Sequence, residues 1–166
     1  MGIAPLLQKD LEVAQLRLID CRQPRDQDVW LHSLLNVART VNPYLPPDEA
    51  AAVWGRIQST PCHGLLHEFQ RRWIALFAAV AARDGAKSAA LASELLATPG
   101  ELHRDAREYL MVAGMAGHLA AGRPREAKAL WNKYETGLRN PAKPLLRLLR
   151  CHAERGSAGA DAACAG

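Results

Sequence analysis

The chain has 166 residues, of which 49% are hydrophobic and 23% charged, and a formal charge of +4 at pH 7. That length and balance lie in the ordinary globular range, sufficient to bury a core in one domain, and they exclude a chain too polar to fold. Its 21 basic side chains are interspersed with 17 acidic ones without a long single-sign block, which argues for a solvated surface and against a nucleic-acid or anionic-membrane footprint.

Alanine, leucine, arginine and glutamate outweigh the strand-forming residues, so the expected fold class is all-α. Periodicity and punctuation predict eight helices, at about 4–21, 27–41, 48–58, 62–83, 86–97, 100–121, 124–137 and 142–155. The opening MGIAPLLQKDLEV meets charge too soon for a signal peptide, and Cys21, Cys62, Cys151 and Cys164 show no regular spacing. Both features predict reduced thiols in a cytoplasmic setting.

The segment NPYLPPDE, Asn42 to Glu49, is expected to interrupt the helices at its three prolines, with Asp48 as the following cap. TPCH at Thr60 and TPGE at Thr98 read as helix starts, each with a cap threonine and a proline at the first helical position. ARDG and AAGRP read as helix ends, with Gly85 and Gly122 able to take the left-handed conformation. The apolar run WIALFAAVAA, Trp73 to Ala82, is too short to span a bilayer and suits a buried helix. The final GSAGADAACAG has too little bulk to pack, so the expected organisation is one helical domain over 1–155 and a disordered tail over 156–166.

Two segments 77 positions apart nearly repeat each other: EAAAVWGRI, Glu49 to Ile57, and EAKALWNKY, Glu126 to Tyr134. Gly85 and Gly122 are 37 apart, about half that distance. The register predicts three helical hairpins over helices two to seven, with the first and eighth helices capping the ends. Trp30, Leu31, Leu34, Leu35 and Ala38 form one helical stripe, as do Trp73, Ile74, Phe77, Ala78 and Ala81, and Tyr109, Leu110, Ala113 and Ala116 or Gly117. Ala50 and Ala127 each stand four residues before a tryptophan, so a close approach of helices lies one turn from a large core side chain. Gly114 and Gly117 cost helix propensity, which predicts close packing against a neighbour.

The stretch YLMVAGMAGHLAAGRPREAKALWNKYETGL, Tyr109 to Leu138, resembles a degenerate tetratricopeptide repeat. Gly122 matches the inter-helix turn, Ala127 the small packing position and Trp131 the bulky aromatic. The Glu49 to Ile57 half matches too, whereas the middle hairpin has Ser93 or Glu94 where the aromatic belongs. The resemblance covers about 110 residues. It implies stacked antiparallel hairpins in a right-handed superhelix with caps, and a non-catalytic scaffold or adaptor without cofactors. Its concave groove would take a peptide or partner helix. By register, the groove positions are His32, Asn36, Arg39, Arg71, Arg72, Tyr109 and His118. Several guanidinium groups beside an amide suit an acidic or carboxylate-ending peptide.

AGRPREAKALWNKYETGLRNP also resembles pentatricopeptide repeats, which implies an alternative RNA-binding reading, without a consistent polar pair or strongly basic groove to support it. CHGLLH places His63 and His67 one helical turn apart beside Cys62, with Cys151 and His152 as further donors, but only one helical pair is assured and no metal is expected. No zinc-protease, phosphate-loop or serine-elbow pattern points to catalysis. The last helix carries Leu145, Leu148, Leu149 and His152 on one side and Lys143, Arg147, Arg150 and Arg155 mostly elsewhere. It is read as a cap, with docking to a partner or an anionic membrane as its other possible use.

Overall fold

The computed structural model describes residues 27–59, 64, 66–100, 102–141, 143–155 and 164, without the side chains of 27–33, 40 and 44. The helix expected at 4–21 lies outside the described residues, as do Thr60, Cys62 and His63 and nearly all of the tail. Among the described residues the protein is all-α, with no strand. Its helices are α1 (Gln27–Tyr44), α2 (Pro47–Gln58), α3 (Glu68–Ala81), α4 (Gly85–Ala97), α5 (Arg104–Ala120), α6 (Pro124–Tyr134) and α7 (Pro144–Glu154). A 3-10 turn, Glu135–Gly137, extends α6. No helix among them is long and apolar enough to cross a membrane. The chain divides into two compact units, Met1–Arg83 and Asp84–Gly166. The division falls inside the expected middle hairpin, so its helices belong to different units.

In the first unit α1 and α2 both pack on α3. Leu34, Leu35, Ala38 and Val41 of α1 meet a core of Ala50, Val53, Trp54 and Ile57 from α2 and Trp73, Ile74, Leu76 and Phe77 from α3. The aromatic rings carry much of that core, with centroids 5.1 Å apart for Trp54 and Phe77 and 5.5 Å for Trp73 and Phe77. One side chain links all three helices: Asn42 accepts from Trp54 Nε1 at 2.8 Å and donates from Nδ2 to the Phe77 carbonyl at 3.2 Å.

The linker between α1 and α2 corrects the sequence reading. The first helix does not stop before NPY but runs through Pro43 to Tyr44. A proline so near a helix end forfeits one amide bond where the ladder is already finishing, a smaller cost than in mid-helix. The continuation places Asn42 where it can bond both neighbours. Pro47, not Asp48, opens α2, and Asp48 lies in its first turn, where a carboxylate still meets the positive end of the helix dipole.

In the second unit each helix packs on the next, α4 on α5, α5 on α6 and α6 on α7, and α7 also returns to α5. Glycines set the first crossing. A Cβ on Gly117 would lie 2.6 Å from the Gly85 carbonyl oxygen and 2.8 Å from the Ala89 nitrogen. On Gly114 it would lie 2.6 Å from Leu130 Cδ2 of α6. The close approach expected of these two glycines is therefore present, against α4 and α6. Ala127 and Trp131 are buried as expected, as are Ala50 and Trp54 in the first unit.

The ARDG pattern puts Gly85 at a left-handed helix end; instead it is the first residue of α4, and Arg83 takes the positive φ of 56°. The missing Cβ at Gly85 serves the crossing with Gly117, while Asp84 caps α4 by accepting from the Lys87 amide at 3.0 Å. Gly122 does turn left-handed, with φ 71°. Thr98 ends α4 rather than opening α5, its hydroxyl donating to the Glu94 carbonyl at 3.0 Å, and α5 starts later, after His103.

Two further readings are corrected near the C-terminus. Leu146, Leu149 and Ala153 form the buried side of α7, whereas Leu145 and Leu148, which the pattern groups with Leu149, are exposed. Leu145 precedes Leu146 and Leu148 precedes Leu149, so two adjacent stripes compete for the core, and the periodicity of leucine alone does not choose between them. Cys151, expected as a reduced thiol, is joined to Cys164 in a disulfide with Cα atoms 4.8 Å apart.

Candidate partner-binding surface

The expected groove residues fall on three helices in two units. On α1, positions 32, 36 and 39 follow helical spacing and share one side; Asn36 and Arg39 are exposed, and the His32 side chain lies outside the described residues. That side is opposite the buried line of Leu34, Ala38 and Val41. On α3, Arg71 is exposed, and Arg72 is half-exposed with its guanidinium 2.5 Å from Glu68, one turn earlier. Such exposed pairs contribute little to stability.

On α5, Tyr109 and His118 are nine positions apart, which puts them on opposite sides of a helix. A single groove face on α5 therefore presents one of them but not both. His118 is half-buried, and its Nδ1 finds no hydrogen-bond partner among the described residues. Burial pushes its pKa below the ordinary 6.5, with Arg123 adding to the effect and Glu126 opposing it.

The direction of that shift fixes a pH dependence. Above 6.5 the imidazole is neutral in both the folded and the unfolded chain; as pH falls below 6.5 the unfolded chain binds the proton first. Stability contributed by neutral His118 is thus lost on acidification and retained at higher pH. A His118→Gln variant is expected to show a flatter decline of urea midpoint below pH 6.5 than the parent; identical profiles would remove His118 as the cause.

Among the described residues no group of three potential metal ligands occurs. His67 precedes α3, its backbone amide donating to Gln70 Oε1 at 3.0 Å, and Cys151 is bonded to Cys164. The bond to Cys164 removes the Cys151 thiol from the donors the sequence offers to a metal. The sequence reading missed the contacts that seat α7. Lys143 reaches Glu108 of α5 at 2.6 Å, Arg150 pairs with the buried Glu154 at 3.2 Å, and the Arg150 guanidinium lies 5.4 Å from the Trp131 ring centroid. A signal existed for one of these contacts, since Arg150 and Glu154 stand one turn apart.

The geometry defines a helical protein with arginine-bearing outer faces. No protein-family model matches the chain, nor does any curated protein or solved structure.

Proposed function

We propose that the chain is a non-catalytic scaffold or adaptor of tetratricopeptide-like build, engaging a protein or peptide partner through the outer faces of its helices. The observation that carries this reading is the packing of the second unit, where α7 meets both helices of the preceding α5–α6 hairpin. In stacked arrays each new helix contacts both members of the previous hairpin in this way. Ala127 with Trp131, and Gly114 with Gly117, supply the small and large side chains such stacking uses. Asn36, Arg39, Arg71 and Arg72 supply amide and guanidinium groups on outer faces, chemistry suited to an acidic or carboxylate-ending peptide.

The test is affinity capture by the intact chain beside an Arg39→Ala, Arg71→Ala, Arg72→Ala variant with matched circular dichroism. A protein held by the first and lost by the second supports the groove. Capture that falls steeply with salt and is abolished by ribonuclease would replace this reading with RNA binding.

A cytoplasmic setting belongs to the same proposal. There, cellular thiols would keep Cys151 and Cys164 reduced for most of the time. Acid-quenched alkylation of freshly lysed cells should find both thiols free; a fully bonded pair would move the protein to an oxidising compartment.

A further inference from the structure

The outer side of α7 is the one place among the described residues where large hydrophobic side chains are exposed, Leu145 at 52% and Leu148 at 53%. With His152 and Arg155 they follow a 3-4-3 spacing, which on a helix makes one continuous line: apolar for its first turn and ending on the Arg155 guanidinium. The inner side is fully committed to α5 and α6 through Leu146, Leu149 and Ala153. The line is therefore not a remnant of the core.

Charge narrows what could cover it. Lys143, Arg147, Arg150 and Arg155 stand on or beside α7, and the carboxylate within it, Glu154, is buried and held by Arg150. Glu108, which approaches from α5, is occupied by Lys143. The outward charge of this helix is positive. A second copy would set like charges against one another. A membrane is a poor fit, because a whole myristoyl chain gives only marginal anchoring and two half-exposed leucines offer less apolar surface. Residues 156–166 contain no side chain larger than aspartate or cysteine, so that stretch lacks the bulk to fill the leucine half.

We propose that the Leu145–Leu148–His152–Arg155 line is a docking surface for an acidic amphipathic helix of a protein partner. Such a helix would lay aliphatic side chains spaced three or four apart over the leucines, and aspartate or glutamate one to two turns further on, beside His152 and Arg155. The inference rests on the scaffold reading but uses a surface separate from the arginines of α1 and α3.

The experiment places a benzophenone side chain at position 148 of the full chain, and at exposed Asn132 of α6 as a control. It crosslinks in the source cells and maps the attached segment by mass spectrometry. The expected product forms at 148 but not at 132 and joins a helical-pattern segment bearing aliphatic and carboxylate residues. A Leu148→Glu, Arg155→Glu variant with unchanged circular dichroism should lose at least ten-fold in affinity for that segment as a synthetic peptide. Attachment to lipid, to another copy, to a segment without carboxylates, or to nothing overturns the proposal. If capture through Arg39, Arg71 and Arg72 persists in that event, the scaffold reading stands and the α7 surface alone is lost.

Discussion

Replacing Trp54 with alanine is expected to destabilise the first unit by about 3–5 kcal/mol, the usual cost of emptying a large aromatic site in a packed core. The indole is fully buried, stacks near Phe77 and donates to Asn42, which in turn holds the Phe77 carbonyl. Its removal therefore leaves a cavity and a half-buried amide oxygen with one bond fewer. A Trp54→Phe variant separates the two effects: it keeps most of the ring volume and loses the hydrogen bond, so its loss should be nearer about 1 kcal/mol. Urea unfolding with an unchanged slope measures both. An unaltered midpoint in the alanine variant would show that the Ala-x-x-x-Trp pattern does not mark a core.

The second large effect has an opposite-signed control. Gly117→Ala should gain about 1 kcal/mol from helix propensity, yet the new methyl would stand 2.6 Å from the Gly85 carbonyl oxygen and 2.8 Å from the Ala89 nitrogen. Both are backbone atoms that cannot rotate away, so α4 and α5 must separate. A net loss of about 1–3 kcal/mol is expected, the range for overpacked cores. Gly55 of α2 is exposed, and a methyl there would meet nothing within 4 Å, so Gly55→Ala should instead stabilise by up to about 1 kcal/mol. Thermal melts of the two variants read the difference in sign, and equal stabilisation by both would disprove the close crossing.

Much of the fold was legible because its signals are local and redundant. The burial of Trp54 and Trp131 four residues after a buried alanine follows directly from spacing. Gly114 and Gly117 announced themselves by their cost in helix propensity, and both do stand at close approaches, whereas Gly55 carries the same signal with nothing near it. Boundaries were less legible. The Thr98 hydroxyl and the bare backbone of Gly85 each suit a helix start as well as a helix end; Thr98 bonds back to Glu94, and Gly85 was claimed by Gly117, distant in sequence, with Arg83 and Asp84 making the turn.

The α7 register failed for a related reason. LLRLLR presents leucines on two adjacent stripes, and only the shapes of α5 and α6 decide that Leu146 and Leu149 turn inward. The candidate groove was the least legible part, because polar residues carry no periodic imprint of a partner. Asn36 with Arg39 and Arg71 with Arg72 emerged on outer faces, while Tyr109 and His118 came from a register that nine intervening positions divide across α5.

The central claim is that the repeated alanine–tryptophan segments form packed helical cores on which recognition surfaces are mounted. It is tested most directly by tryptophan fluorescence of a Trp30→Phe variant, in which Trp54, Trp73 and Trp131 are the only emitters. All three are at most 2% exposed, so the account predicts blue-shifted emission and strong protection from acrylamide, both lost on unfolding in urea. Emission resembling free tryptophan in water, with ready quenching before denaturant is added, would contradict it.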